Sequence, residues 1–175
     1  NLDVVDIDGA LTQDGGAVFN EAGVDVDFRV ESDGNANMLF VDGGNNRVGV
    51  GTGSPDDDLH IANTTQAGAT FRLENTNTST DTNTTFGTIN FEGNDNSAGA
   101  NGIRGSIVGK SLSTNGAMGL LFSTASAGGS NTERFRIAAD GSLSTPTLGT
   151  SNVRFGVNAG NSIASGGNYN TVVGD

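Results

Sequence analysis

The stretch Arg47-Val48-Gly49-Val50-Gly51-Thr52-Gly53-Ser54-Pro55-Asp56-Asp57-Asp58-Leu59-His60-Ile61 decides the fold class. It opens with β-branched residues alternating with glycine, breaks over Gly51 to Pro55, and resumes as an apolar–polar–apolar triplet. That pattern reads as two short strands around a turn-rich break. The same grammar extends outward. Upstream, Val26 to Val30 places Val26, Phe28 and Val30 on one face, with Asp33-Gly34 as the turn; Met38 to Val41 follows, closed by Asp42 to Asn46. Downstream, Phe71-Arg72-Leu73, Ile89-Asn90-Phe91, Ile103 to Val108, Leu120 to Phe122 and Phe135-Arg136-Ile137 read as further short strands. No window of a dozen residues repeats apolar side chains at helical spacing. The chain is expected to be all-β.

Composition narrows the function classes. Of 175 residues, 28 are Gly, 21 Asn, 19 Thr and 15 Ser, nearly half the chain. Leu, Ile, Val and Phe number 40, just above the level at which chains stay disordered. A lone globule built from them is poorly supplied with core, so a core shared between chains is expected. The net charge is −12, with one Lys and seven scattered Arg. Nucleic acid is an unsuitable partner, because phosphate contacts need clustered cations. No run approaches 18 apolar residues, so membrane insertion is not expected. Cysteine is absent, which excludes disulfides and thiolate metal sites. The first residue is Asn, and the chain reads as a piece of something longer.

Two internal echoes organise the chain. Asp27 to Gly34 lines up with Glu133 to Gly141, each an aromatic, an Arg, a β-branched residue and an Asp-Gly turn. Asn152 to Gly156 matches Asn170 to Gly174 at a fixed spacing, as stacked coils of a roll or solenoid would. Three stretches are expected. Residues 1–62 form a turn-rich ladder of strands. Residues 63–140 hold a Thr/Asn-rich connector (Asn75 to Thr85) and then five strands. Residues 141–175 begin an Asn/Gly/Ser-rich β repeat array, with Pro146 as the joint.

Arg47 to Pro55 followed by Leu59-His60-Ile61 resembles the "N-x-VGIGT-x-SP-x-x-x-L-H-V" signature of bacteriophage tail fibres. Glu133 to Ile137 with Asp140-Gly141 is similar to the "T-E-R-M-R-I…G" stretch that accompanies it, and Phe19 to Glu31 resembles a segment of marine-phage fibres. Asn152 to Asp175 is similar to fibre repeats and, more loosely, to trimeric autotransporter heads. The sequence departs from the pattern at Gly53, where Thr or Ser is commoner, and in the acidity of Asp56 to Asp58. The resemblance implies an elongated homotrimeric β-structured fibre on a virion, with a β-roll or β-helix-like repeat region towards its C-terminal end. It would join other tail or baseplate proteins and reach a host-surface glycan or protein through distal regions. A bacterial trimeric adhesin passenger and a glycan-depolymerising tailspike are the alternatives.

Few residues suggest chemistry. Asp56, Asp57 and Asp58 are candidate ligands for a divalent cation, though a solvated turn after Ser54-Pro55 is the preferred reading. Asp33-Gly34-Asn35-Ala36-Asn37 begins like a calcium loop, but Met38 and Gly44 stand where Gly and Glu are required, leaving a turn. His60 is the single His and should face away from Leu59 and Ile61. Glu21, Glu31, Glu74, Glu92 and Glu133 could in principle pair for sugar cleavage, yet the chain has no Trp and only Tyr169. The nine Phe alternate within strand runs and are expected in the core; Phe28, Phe40, Phe91 and Phe135 should point inward. No catalytic residue and no cofactor is expected.

Overall fold

The computed structural model describes residues 8–97, 99–145, 152–155, 160, 163 and 165–173. Its regular structure is β throughout, and the backbone contacts divide the chain between Phe71 and Arg72.

The first unit is a four-stranded sheet of β1 (Phe28–Ser32), β2 (Asn35–Asp42), β3 (Arg47–Val50) and β4 (Leu59–Ile61), in that order. The first two pairings are antiparallel hairpins turned at Asp33-Gly34 and over Gly43 to Asn46. The third is parallel, with Val48 opposite Leu59 and Val50 opposite Ile61. Parallel neighbours ordinarily need a crossover of a dozen or more residues; here residues 51–58 suffice.

That short return explains the glycines of the signature. The Thr52 carbonyl lies where a Gly49 Cβ would stand, so the loop can fold directly over β3. Gly51 takes φ +78° beneath the Ala62 carbonyl, a conformation that L side chains rarely adopt. Arg47 Nη1 donates to the Pro55 carbonyl at 2.8 Å, and the Val48 N–H to the Asp58 carbonyl at 2.9 Å. Pro55 is buried by this closure.

The second unit is an antiparallel meander of β5 (Thr85–Asn94), β6 (Asn101–Ser111), β7 (Met118–Thr124), β8 (Thr132–Ile137) and β9 (Leu143–Ser144). Its last strand therefore comes from beyond residue 140. Two further strands, β10 (Val153–Phe155) and β11 (Thr171–Val173), pair in parallel with Val153 opposite Thr171.

The sequence expectations hold for most strands and fail at one. Phe71-Arg72-Leu73 forms no strand; Leu73 instead packs where a Gly87 side chain would be. The connector is held by local turns in which the Asn75 and Asn77 carboxamides accept from the N–H two residues on, and Asn63 does the same ahead of it. The proposed joint at Pro146 lies outside the described residues.

Candidate functional site

Directly paired residues in a sheet share a face. In the first unit, one face carries the row Phe28–Val41–Val48–Leu59, then Val30 with Leu39 and Val50 with Ile61. The opposite face carries Arg29, Phe40, Gly49 and His60, and the loop 51–58 folds over it. The chain's own loop thus covers the mixed face. The apolar face is left open, with Val30, Leu39, Val41 and Leu59 exposed. One corner is capped, where the Phe19 ring packs at a tilt on Phe28 with centroids 4.8 Å apart, beside a concavity of about 470 Å³.

The second unit repeats this inversion. One face presents Ile89–Ile107–Phe122–Phe135, flanked by Gly87–Gly109–Leu120–Ile137–Leu143 and by Phe91–Gly105–Thr124. None of these residues is charged. The other face presents Thr88, Val108, Leu121, Arg136 and Ser144, with Asn90, Ser106, Ser123 and Glu133. That polar face receives the loop 125–131. Arg104 donates to the Ser126 and Gly129 carbonyls, and Asn131 Nδ2 to Ser106 Oγ at 2.9 Å. Glu133 and Arg136 close a bidentate pair at 2.8 and 2.7 Å. The hydrogen bonds it donates to the Glu133 carboxylate hold the Arg136 guanidinium above its ordinary pKa.

Among the described residues, Leu121 is the one large apolar side chain buried past nine-tenths, and it sits on the polar face. The expected Phe core is accordingly corrected. Phe28, Phe40 and Phe135 are half-buried, but Phe28 and Phe40 lie on opposite faces of their sheet. Phe91 is 56% exposed, Phe19 67% and Phe71 65%. Alternation put each strand Phe on a definite face; among the described residues Phe19 and Leu73 lie over parts of these faces, and several apolar side chains there stay exposed.

The candidate chemistry does not converge. Asp56, Asp57 and Asp58 are all exposed, and among the described residues no three His, Asp or Glu side chains stand close enough to hold a metal ion. Asp58 contributes its backbone carbonyl to Val48 instead. His60 does face away from Leu59 and Ile61, and its Nδ1 accepts the Asp56 N–H at 3.2 Å, clipping the turn to β4. Glu31 pairs with Arg29 at 2.6 Å and Glu133 with Arg136, so each is committed within its own strand. Asp33-Gly34 forms the tight turn between β1 and β2.

Sequence reasoning missed Gly105, which borders an open concavity of about 400 Å³ lined by Phe91, Ile107, Phe122 and Thr124 together with Arg104, Ser106 and Ser123. The signal was available as a glycine in mid-strand between apolar neighbours. No known protein-family model matches the chain, and no curated protein matches it either. Among the described residues no helix is long and apolar enough to cross a membrane.

Proposed function

We propose that this chain is a structural and adhesive segment of a bacteriophage tail fibre, a homotrimeric virion appendage that holds a receptor-binding region towards the host surface. The observation that carries the proposal is common to both units: each sheet folds its own loop onto its more polar face and leaves apolar side chains exposed on the other, Val30, Leu39, Val41 and Leu59 in the first and Ile89, Phe91 and Leu143 in the second. Three such chains can turn these faces towards a common axis and build the core that one chain lacks.

Two further features favour a fibre. The signature Arg47 to Ile61 folds as a self-closing turn with a defined glycine at each close approach, a rigid element suited to a shaft. The parallel pairing of β10 with β11, at the offset of the sequence echo, supports a β-roll-like stack in the C-terminal region. The role is mechanical and needs no catalytic residue or cofactor; a stiff trimer sets reach, and linked tips gain avidity. Other tail or baseplate proteins and a host-surface glycan or protein are its proposed partners.

Sedimentation equilibrium of the 175-residue chain tests the proposal. A mass three times that of the chain, with no folded monomer at micromolar concentration, is the expected result. A folded monomer removes the main support.

A further inference from the structure

We infer that the Arg72–Leu73 peptide bond is a processing site for a trypsin-like endopeptidase, and that cleavage there separates the two sheets without cutting either. Such an enzyme selects its bond by the side chain that precedes it, a cation held in a pocket with a carboxylate at its base. The chain offers seven Arg and one Lys. Seven of these eight lie in strands: Arg29 in β1, Arg47 in β3, Arg104 and Lys110 in β6, Arg134 and Arg136 in β8, and Arg154 in β10. Arg72 alone stands outside one.

The backbone sharpens this difference. An endopeptidase grips an extended stretch through main-chain hydrogen bonds, so groups already spent in a sheet are denied to it. Among the described residues, no hydrogen bond engages the backbone of residues 69–74. Every residue from 63 to 79 is exposed, the setting in which nicking concentrates. Leu73, beyond the bond, packs its side chain against Gly87 and is still 43% exposed. The nearest competitors are held. Arg29 is half-exposed, yet it pairs with Phe40 in β2. Arg134 is exposed at the bulge of β8, but Glu133 and Phe135 on either side are paired with β7. The consequence for the fold is confined to the connection. The first sheet is complete at Ile61 and the second begins at Thr85, and among the described residues no strand pairing spans Arg72. Hydrolysis adds water across the bond, leaving a carboxylate on Arg72 and an amino group on Leu73, with nothing oxidised or reduced.

The test digests the full 175-residue chain in its native state with a trace of trypsin, followed by intact mass and circular dichroism. Two products, residues 1–72 and 73–175, are expected. They should form at least about a hundredfold faster than any second cut, because cleavage inside a strand waits on local opening. Strand content should survive the nick. Arg72→Gln should resist by a similar factor, whereas Arg72→Lys should still be cut by trypsin and not by an enzyme strict for arginine. That pair of variants separates recognition of the side chain from any change in the fold. A first cut at Arg29 or Arg134 overturns the inference, as does a wild type that stays intact or an Arg72→Gln chain nicked as fast as the wild type. The fibre reading is tested separately, by sedimentation, and neither result decides the other.

Discussion

Asn170 donates both its backbone N–H, at 2.9 Å, and its Nδ2, at 3.1 Å, to the Oδ1 of Asn152, the residue 18 positions before it. Asn152 in turn donates Nδ2 to the Gly167 carbonyl at 2.6 Å and is 1% exposed. A buried carboxamide thereby ties two equivalent points of the sequence echo, immediately ahead of the parallel strands β10 and β11.

Replacing Asn152 by Ala should therefore cost about 1–2 kcal/mol, because the part-buried Gly167 carbonyl and Asn170 N–H lose this partner. Asn152→Asp keeps the acceptor and loses the donor to Gly167, and should fall short of full rescue. Hydrogen exchange at the Asn170 amide reads the effect; unchanged protection in Asn152→Ala would show that the carboxamide does not hold this rung.

The signature glycines should separate into strict and permissive positions. Gly51→Ala places a side chain at φ +78° against the Ala62 carbonyl and should cost about 1–3 kcal/mol. Gly49→Ala should be at least as damaging, since the Thr52 carbonyl occupies its Cβ position. Gly53→Ser should stay within about 0.5 kcal/mol of the wild type. There the obstacle is the Asn37 carboxamide, the end of a side chain that can swing aside. Thermal unfolding of the three variants checks the order, and equal losses would refute it.

Acid should loosen the turn between β2 and β3. The Asp42 carboxylate accepts from the Asn45 side chain at 3.0 Å and from the Asn45 and Gly44 N–H groups at 2.8 and 3.1 Å. These bonds, the Asn45 side chain first, hold its pKa below the ordinary aspartate value. Asp95 and Asp140 are depressed in the same way, by Ser97 and Ser142. With the folded pKa depressed, the stabilisation is complete above the unfolded value of about 3.9. It is lost as pH falls from there through the folded value. A carbon-detected titration should give midpoints below those of the free amino acid for all three, and Asp42→Asn should remove its share of the acid dependence.

Isolated host polysaccharide should pass through the protein unchanged. The proposed role is mechanical, and Glu31 and Glu133, two of the five glutamates weighed for sugar cleavage, are paired with Arg29 and Arg136. Incubation should release no reducing ends, and millimolar calcium should not alter binding, because Asp56, Asp57 and Asp58 do not converge. Reducing ends would favour a depolymerase, and tight calcium-dependent adhesion would make the Asp cluster a site.

Strand positions were legible because a two-residue alternation leaves little choice. The echo of Asp27–Gly34 in Glu133–Gly141 was legible too: Gly34 and Gly141 both take φ +83° after their strands. The parallel return of β4 beside β3 was not. Its short connection depends on the Arg47–Pro55 bond and on carbonyls passing over Gly49 and Gly51, contacts with no periodic signature. Phe71-Arg72-Leu73 misled because its alternation is that of a strand, yet Leu73 finds its packing against Gly87. At the candidate site, alternation named the face of each Phe but not its cover. A face looks the same in sequence whether a loop or another chain lies over it.

The return of β4 across residues 51–58 also bears on the order in which the chain folds. Its bonds, from Val48 N–H to Asp58 and from Ala62 N–H to Val50, join residues close in sequence, so contact order is low there. Closing a loop of this size takes on the order of 10–100 ns, long before distant strands meet. Residues 47–62 should thus set their register before an open apolar face is available to a second chain. Pulsed hydrogen exchange should find the Val48 and Ala62 amides protected ahead of those in β5 to β8; the reverse order would place the nucleus in the meander instead.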